Sequence, residues 1–511
     1  MNVENIPVKD KEFYKNAYKS FYKRSDLFSL FVEKGLTQLT HQNSKVAFII
    51  PSIVLNNLSY QPLRDIFLNN HWLKEVSYVG GAVFSDATVD TSILIFDKQG
   101  IDDITLKHAV NFHEPTIHTV PADYFKTFKN TISIGEENAD TITDKLFLPE
   151  YAVVDDCFTV FQGIVTGNND AFIFENEEEA LNKGIEKELL HTLCHGRDIG
   201  KWETRNLERK ILYVDDNTDL SLYPNTYKWL YSFKEKQDAR NEGKKTDLIV
   251  WDRLHRPRVK SELDTQEKIL IQNTRNESLK TRIVATIDKQ GVYASQGINF
   301  VIPKTGEYSI YFLLALLNSK LMNYLFSKKF LNLAIKAEYI KQLHFPRLSL
   351  SDQQPFIDLA DRMLSLNKDL QEKRGRFLRR LQDNLRSASV LTREKAFAPT
   401  TPIAASEDTR VPGKANASGD TCAPGGAPVR ITTALETFDS LEFADFVAEL
   451  KKQKIKLTLV QQDEWEEYFT QYKAACSELT DAIAATDSEI DQRVYNLYGL
   501  TEEEIKLIEQ I

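Results

Sequence analysis

The chain has 511 residues, of which 42% are hydrophobic and 11% aromatic, and its formal net charge is −10. The length predicts roughly three domains, and the apolar content excludes a chain that is disordered throughout. There is no apolar run of about 18 residues and no apolar stretch behind a basic start, so neither a membrane-spanning helix nor a secretory signal is predicted. Four scattered cysteines favour a reducing cytoplasm over a disulfide scaffold or a cysteine zinc site, and no metal site is predicted.

The acidic average hides an uneven distribution of charge. Residues 251–345 carry 15 Lys and Arg against 8 Asp and Glu, whereas residues 431–511 carry 7 against 18. Binding to DNA requires a local basic surface rather than a basic chain. The net charge therefore does not exclude DNA as a partner.

Residues 26–145 alternate between helical and strand patterns. Behind a cap signal at Ser25 and Asp26, apolar residues recur with helical spacing, namely Leu27, Phe28, Phe31, Leu36 and Leu39. The apolar run 46–51 ends at a proline and predicts a buried strand of a parallel sheet. A helix is predicted at 60–71, and strands at 76–84 and 91–97. This order predicts part of an α/β sheet covered by helices.

The composition and the spacing of apolar residues change three times in the rest of the chain. Turn clusters between short β-branched runs predict a separate α+β domain over about 150–345. Residues 352–395 predict a long helix with an apolar stripe and a basic end at Arg374–Arg380. Residues 398–430 consist mostly of Pro, Ala, Gly, Ser and Thr, which predicts a disordered linker. Acidic amphipathic helices follow, and Thr501 with Glu504 forms a capping pattern.

Common catalytic signatures are missing from the sequence. It contains no GxxxxGK phosphate loop, no GxSxG nucleophile motif and no GxG, so no complete glycine loop for a dinucleotide or a methyl donor is present. The pair His113-Glu114 and His118 departs from HExxH by one position, and Pro115 does not suit a helix there. Motifs alone therefore predict no catalytic residues.

Segments within residues 26–97 nevertheless occur in a specific order. They are Asp26-Leu27-Phe28-x-x-Phe31-x-Glu33, Ala47-Phe48-Ile49-Ile50-Pro51, Leu63-Arg64, Gly81-Ala82-Val83-Phe84 and Thr91-Ser92-Ile93-Leu94-Ile95. In this order they resemble the second half of the catalytic domain of gamma-class adenine-N6 DNA methyltransferases, that is, the TaqI-like enzymes and the type IIG restriction-modification proteins. Each segment alone is weakly specific.

The segments that follow extend the resemblance to about four-fifths of the chain. Residues 161–172, residues 195–199 and residues 316–321 are similar to parts of the TaqI-like target-recognition domain. The implied fold class is α/β, with a partial Rossmann-like methyltransferase sheet, an α+β TaqI-like specificity domain and a helical C-terminal region. The predicted boundaries are 1–148 for the catalytic half, 149–348 for the specificity domain, 349–397 for the long helix, 398–430 for the linker and 431–511 for the acidic helical region.

The chain departs from the family in one respect that bears on activity. The family carries its methyl-donor glycine loop and an Asn/Asp-Pro-Pro-Tyr motif before the segment that Asp26 begins, and this sequence has no Pro-Pro pair. S-adenosyl-L-methionine is implied as cofactor by the resemblance only, because the donor loop is absent. We therefore expect the chain alone not to methylate, as a truncated gene product, a subunit of a split enzyme or a specificity protein would.

The resemblance implies a role for one aromatic side chain. A base inside a duplex must be extruded before it can be methylated, and aromatic stacking in the pocket recovers part of the cost. Phe84 matches the family's phenylalanine that stacks on the flipped adenine. The alternative is that Phe84 is a core residue at the end of a strand.

The remaining candidate residues are expected to contact DNA. Glycine permits a close approach of the backbone, asparagine can pair with adenine, and arginine contacts phosphate or guanine. A turn that only shapes the domain and a solvated charge cluster are the alternatives for the two main groups. The candidates are Gly163, Thr166, Gly167, Asn168, Asn169, Arg197, Arg253, Arg256, Arg258 and Lys320.

Three functional hypotheses follow from these patterns. The first is the DNA-recognition part of a site-specific adenine-N6 methyltransferase in a restriction-modification system, with double-stranded DNA as partner. The second is a non-catalytic specificity subunit, completed by a separate chain that carries the donor-binding half. The third is a protein-interaction scaffold that uses the acidic helical tail.

Overall fold

The computed structural model describes residues 6–510 except 24, 82, 84–88, 110–113, 129, 133, 135–141, 144, 206, 243–247, 274–280, 330–333, 397–430, 454 and 456. Two compact units are present, residues 1–361 with 489–511 and residues 362–488. Phe84 and the linker predicted at 398–430 lie outside the described residues, and the predicted domain boundaries stay predictions. Within the described residues, none of the helices combines the length and apolar character needed to cross a membrane.

The strands are numbered here in chain order. They are β1 Lys45–Pro51, β2 Leu73–Gly80, β3 Thr91–Asp97, β4 Asp103–His108, β5 Thr116–Pro121, β6 Ala152–Val153, β7 Phe158–Gln162, β8 Ile173–Phe174, β9 Leu190–Cys194, β10 Ile199–Gly200, β11 Glu203–Thr204, β12 Lys210–Leu212, β13 Lys268–Gln272, β14 Ala285–Asp288, β15 Tyr293–Ala294, β16 Ile298–Pro303 and β17 His344–Phe345.

The α-helices lie between and after these strands. They are Val8–Ala17, Phe28–Lys34, Gln61–Asn69, Val154–Cys157, Asn169–Phe172, Glu177–Asn182, Pro224–Tyr231, Lys234–Asn241, Lys260–Leu263, Ile310–Asn318, Lys320–Lys329, Ala337–Lys341, Leu350–Ala396, Thr433–Glu436, Phe443–Lys452, Leu459–Leu497 and Glu502–Glu509. The mixed α/β class and the helical C-terminal region expected from the sequence are confirmed at this level of detail.

The first sheet has the strand order β1-β3-β2-β4-β5. Only β2 and β4 are parallel neighbours among the described strands of this sheet, and the other three pairs are antiparallel. The prediction that 46–51 is a buried strand of a parallel sheet is therefore wrong. β1 pairs with β3 in the antiparallel direction and lies at the edge of the sheet, where alternate residues are exposed. An apolar run alone does not distinguish an edge strand from a central one.

The helix predicted after Ser25 is present, but it begins and faces differently. Its α-helical part is Phe28–Lys34, its N-cap is Leu27, and no side chain caps it. The buried residues include Leu30, Val32 and Leu36, whereas Phe31 is 70% exposed and Leu39 is 69% exposed. A turn of π-helix at Gly35–Leu39 shifts the helical periodicity, so the last predicted position does not face the core.

Two four-stranded sheets form the core of the region after residue 150. Their orders are β14-β13-β16-β7 and β15-β9-β12-β8. β16 lies between β13 and β7, and all of its residues except Pro303 are buried. A buried ion pair fixes the end of β13, because Lys268 Nζ lies 3.0 Å from the Asp288 carboxylate and donates to two backbone carbonyls. This pairing of β7, β16 and β13 positions the candidate site.

The C-terminal elements match several local predictions. The long helix extends over Leu350–Ala396, and Thr501 and Glu504 form the expected capping box. In residues 362–488 the core is aromatic, with the ring of Phe377 stacked 3.7 Å from that of Phe438. Arg374 in the basic run donates two hydrogen bonds to Asp439. That arginine therefore has a structural partner within its own unit.

Candidate nucleic-acid interface

The segment after β7 requires glycine at two positions. A Cβ atom on Gly163 would lie 2.2 Å from the carbonyl oxygen of Ser295, so a side chain there has no room. Gly167 has a φ of +79°, and its Cβ would lie 2.4 Å from Ile249 Cγ2. Glycine adopts positive φ without steric cost and permits this close packing. Both glycines therefore shape the path of the backbone rather than present side chains.

Residues 163–167 pair with residues 255–258, about 90 positions further along the chain. Arg256 N donates to Val165 O at 2.9 Å, and Val165 N donates back to Arg256 O at 3.2 Å. The backbone N–H of His255 donates to Thr166 O at 3.3 Å, and Arg258 Nε donates to Gly163 O at 3.0 Å. The structure therefore brings the glycine-rich segment and the arginine segment together as one surface, named here the recognition surface and made of residues 163–169 with 253–258.

The three arginines of the recognition surface have different environments. Arg253 donates to Asp252 at 3.0 Å and to Asp216 at 2.5 Å, and hydrogen bonding to these two carboxylates raises its pKa. Arg256 is exposed. Arg258 has a φ of +69°, and its pKa is lowered by burial and by the neighbouring charge of Arg256. Arg256 is thus the arginine of the three that is most accessible to a DNA strand.

The polar residues of the same surface are arranged around a short helix. Thr166 is buried, and its hydroxyl donates to Asn169 Oδ1 at 2.6 Å. Asn168 is the N-cap of the helix Asn169–Phe172, and its side chain makes no capping hydrogen bond. Asn168 is half-buried and Asn169 is exposed. The amide of Asn168 is therefore not oriented by a hydrogen bond to the helix that it caps.

Arg197 lies next to the turn that Gly163 packs against. It is 71% exposed on a 3-10 turn at Gly196–Asp198. A Cβ on Gly196 would lie 3.3 Å from Gly297 O, and Ser295 Oγ lies 3.5 Å from His195 Nδ1. The turn 295–297 therefore contacts both the Arg197 loop and Gly163.

Lys320 is not part of this assembly. Its ammonium lies 3.1 Å from Glu509 and 3.8 Å from Asp491, both near the C-terminus. Its DNA contact stays a prediction, and its ammonium forms ion pairs within the chain. Two participants were missed by the sequence reasoning. Asp216 holds Arg253, and Arg240 donates to Gly167 O at 3.3 Å; both are distant in sequence from their partners and carry no local motif.

Three family models match parts of the chain. Residues 1–84 match the Eco57I restriction-modification methylase family, and residues 195–345 match the TaqI-like C-terminal specificity domain. Residues 427–494 match a domain of unknown function. The resemblance to restriction-modification methyltransferases with a TaqI-like recognition domain is confirmed.

Two curated relatives are similar over part of their length. The chain is 21% identical to the type II restriction enzyme and methyltransferase RM.Eco57I of Escherichia coli over 63% of this chain and 36% of that protein. It is 24% identical to the type II methyltransferase M.MjaIV of Methanocaldococcus jannaschii over 38% of this chain and 66% of that protein. The chain therefore spans about a third of the length of the first relative and just under two thirds of the second.

Solved structures of restriction-modification enzymes are more distant. The type IIL enzyme MmeI in complex with DNA is 14% identical, with a TM-score of 0.47 over 68% of this chain and 45% of that chain. The DrdV–DNA complex is 9% identical, with a TM-score of 0.37 over 71% of this chain and 42% of that chain.

Proposed function

We propose that the chain recognises a specific site in double-stranded DNA as part of an adenine-N6 methyltransferase of a restriction-modification system. The observation that carries the proposal is the pairing of residues 163–167, which precede Asn168 and Asn169, with residues 255–258, which include exposed Arg256 and lie within the matched specificity domain. Arginine contacts phosphate or guanine, and asparagine pairs with adenine. In this proposal the surface combines an arginine that contacts DNA phosphate with asparagines that recognise bases.

The rigid backbone of the recognition surface supports this function. Gly163 and Gly167 hold the loop against its neighbours, while the carboxylates of Asp216 and Asp252 fix the guanidinium of Arg253. A surface that is already held in one conformation loses less conformational freedom when it binds. In this proposal Arg253 positions the surface, and Arg256 touches DNA.

The methyl donor does not fit the cavity beside the helix Gln61–Asn69. This cavity has a volume of about 50 Å³, and the buried Arg64 on its wall donates to the backbone carbonyls of Asn130, Val54 and Asn57. Small-molecule sites usually occupy about 300–1,000 Å³. The relatives are methyltransferases, and we infer that S-adenosyl-L-methionine is held by residues other than these. We derive no step through it.

The edge of the first sheet supports the second hypothesis, completion by a separate chain that carries the donor-binding half. Ser52 N donates to Asp90 O, and Lys98 N donates to Ser44 O. In an antiparallel pair these bonds recur at every second residue, so the backbone groups of Val46, Phe48 and Ile50 face β3. The backbone groups of the alternate residues, including Ala47 and Ile49, face away from β3. Among the described residues, no strand pairs with that side of β1. In this proposal a Rossmann-like methyltransferase sheet is completed there, and Phe84 stacks on the flipped adenine.

Salt-dependent binding to duplex DNA tests the main proposal. Fluorescence anisotropy with a labelled duplex should show affinity that falls as salt rises, because phosphate contacts release counterions. Replacing Arg253, Arg256 and Arg258 together with Ala should weaken binding, and Arg256→Ala alone should reduce the salt slope by about 0.9. Arg493→Ala, which removes an exposed arginine paired with Glu489, is the control. Unchanged affinity in the triple variant would contradict the proposal.

A further inference from the structure

A cavity beside β7 brings together basic side chains from two distant segments of the chain. It has a volume of about 410 Å³. Arg256 and Arg258 of the recognition surface line it, and so do Lys336 and Lys341 at the two ends of the segment that contains the helix Ala337–Lys341. This helix contacts β7, which places the lysines near the recognition surface. The cavity is named here the cationic cavity.

The cationic cavity has an excess of positive charge. Among the described residues that line it, four are basic and only Glu338 is acidic. Arg258 Nε donates to the carbonyl of Gly163, and the Lys336 ammonium lies 5.7 Å from the centre of the Tyr339 ring. Neither contact neutralises a charge. Within the described part of the chain, neither of these two cations forms an ion pair.

The surroundings of the cavity disfavour these charges while it holds no anion. Burial lowers the pKa of Lys336. Burial, followed by the charge of Arg256, lowers the pKa of Arg258. An opposite charge within about 4–6 Å favours the charged form of a basic group. An anion bound in the cavity would therefore offset the cost of holding these cations close together.

A phosphate group fits this set of side chains best. A guanidinium binds phosphate through paired hydrogen bonds, and an ammonium binds it as a point charge. Val160 and Phe161 add apolar wall against which a sugar can pack. One strand of duplex DNA carries a negative charge per about 3.4 Å of helix axis, so neighbouring phosphates reach the same group of cations. Since Arg256 belongs to the recognition surface as well, a strand bound there continues into the cavity.

The cationic cavity also lies beside the region that matches the methylase family. Lys336 and Glu338 line both this cavity and the smaller one beside the helix Gln61–Asn69, which Asn56 and Gln61 line from the other side of the sequence. The first two residues fall in the matched specificity domain, and the last two fall in the matched methylase region. A strand held in the cavity therefore runs next to the junction of the two matched regions.

We propose that the cationic cavity binds backbone phosphates of one DNA strand, and that Lys336 and Lys341 hold this strand between the recognition surface and the methylase-matching region. The proposal rests on the DNA-recognition function for the source of the phosphates, and a free phosphate compound offers the same chemistry. Phosphates are the same at every nucleotide. The contact therefore adds affinity and fixes the position of the strand without selecting a base.

The test measures the affinity of the full chain for a labelled duplex at several salt concentrations by fluorescence anisotropy. Lys336→Gln combined with Lys341→Gln should reduce the slope of log affinity against log salt by about 1.8, because each lost phosphate contact removes about 0.9. Between about 50 and 200 mM salt, the wild type should lose about tenfold more affinity than this double variant. An unchanged slope would overturn the proposal.

A second duplex of unrelated sequence shows whether the lysines contact the backbone. The double glutamine variant should bind both duplexes more weakly by the same factor, since phosphate contacts carry no sequence information. A loss confined to one of the two sequences would mean that these lysines contact bases, and it would overturn the assignment to phosphates.

A variant with the same change in net charge is the matched control. Lys126→Gln combined with Lys452→Gln removes two exposed ammoniums away from the cavity. They form ion pairs with Asp123 and Glu449. This control should keep the wild-type slope. An equal reduction of the slope in both double variants would mean that net charge, rather than the cavity, sets the salt dependence.

Two further measurements exclude a purely structural role for the lysines. Lys336→Arg combined with Lys341→Arg keeps both charges and should keep the slope. The melting temperature of the double glutamine variant should not fall, because the change removes charges that burial disfavours. If this variant does not fold, Lys341→Gln alone decides, with an expected reduction of about 0.9.

Inorganic pyrophosphate separates the two sources of phosphate and the two proposals. A wild type that binds DNA with the same slope as the double glutamine variant refutes the cavity and leaves DNA recognition standing. A wild type that binds no DNA, but melts at a higher temperature with pyrophosphate when the double variant does not, has a site for a free phosphate compound. That result refutes the DNA-recognition function and the DNA strand as the ligand. Absence of both effects refutes both proposals.

Discussion

Two strands of this molecule have similar sequences and opposite surroundings. β1 reads Lys-Val-Ala-Phe-Ile-Ile-Pro, and β16 reads Ile-Asn-Phe-Val-Ile-Pro. β16 lies between two other strands and contacts the helix Ile310–Asn318, so five of its six residues are buried. β1 has one neighbour and is half-exposed along most of its length. The neighbours available to a strand, rather than its own composition, decide its burial.

The comparison has a functional side as well. β16 supports the recognition surface, because Ile298 O on β16 accepts a hydrogen bond from Gly163 N and β16 pairs with β7 just before Gly163. β1 leaves an apolar edge exposed, with Ile49 at 44% exposure. Natural proteins normally cover or charge such edges, because an unpaired edge templates association with another chain. β16 thus has neighbouring strands on both sides, whereas β1 has an exposed edge that is suited to pairing with an additional strand.

The largest expected effect contrasts matching phenylalanines in the two strands. Phe300→Ala on β16 should lower the free energy of unfolding by about 3–5 kcal/mol, since the ring is fully buried. Phe48→Ala on β1 should cost clearly less, because Phe48 is only half-buried. Urea denaturation of both variants measures the difference. Equal losses would mean that β1 is covered as completely as β16 in solution.

Local features of the sequence predicted much of the fold, and the pairing of distant segments was beyond them. The capping box at Thr501 and the long helix from Leu350 depend on neighbouring residues and were correct. The exposure of Leu39 depends on a π-helical turn, which helical spacing does not reveal. Likewise, Gly163 was a candidate for its flexibility, but its steric reason lies at Ser295.

A second prediction concerns the close approach that fixes the recognition surface. Gly163→Ala should cost about 1–3 kcal/mol, because the new Cβ would lie 2.2 Å from a backbone carbonyl oxygen of the turn beside β16. Gly306→Ala is the control, since nothing lies within 4 Å of the Cβ built there. Thermal melting and DNA affinity should both fall for Gly163→Ala. A variant that melts like the wild type would show that the turn 295–297 moves away from the new Cβ at little cost in stability.

The third prediction contrasts a half-buried histidine, His191, with an exposed one, His41. Burial, followed by the charge of Lys260, lowers the pKa of His191 from 6.5 to about 4, and its ring stacks 4.0 Å from that of Tyr293. As pH falls, His191 is therefore protonated at a higher pH in the unfolded chain than in the folded chain. The stability that neutral His191 contributes is present above pH 6.5 and is lost as pH falls toward 4.

The expected loss between pH 7 and pH 5 is about 1 kcal/mol, after allowing for the partial exposure of the ring. His191→Phe keeps a ring on Tyr293 and should flatten this part of the profile of stability against pH. His41→Ala, at an exposed position just before β1, is the matched histidine substitution. Denaturant unfolding at both pH values measures the difference, and parallel profiles for wild type and His191→Phe would contradict the assignment.

The smallest expected change in stability tests the open edge of β1. Ile49→Lys should alter the free energy of unfolding by less than about 0.5 kcal/mol, as exposed substitutions usually do. The same change should lower concentration-dependent self-association in sedimentation velocity, because a charge on an edge strand opposes pairing with another strand. Leu222→Lys, at a position that is 71% exposed and outside any strand, adds the same charge and should not lower association as much. Strong destabilisation by Ile49→Lys would mean that this edge is already covered by the chain itself, which would remove the structural support for completion by a further segment.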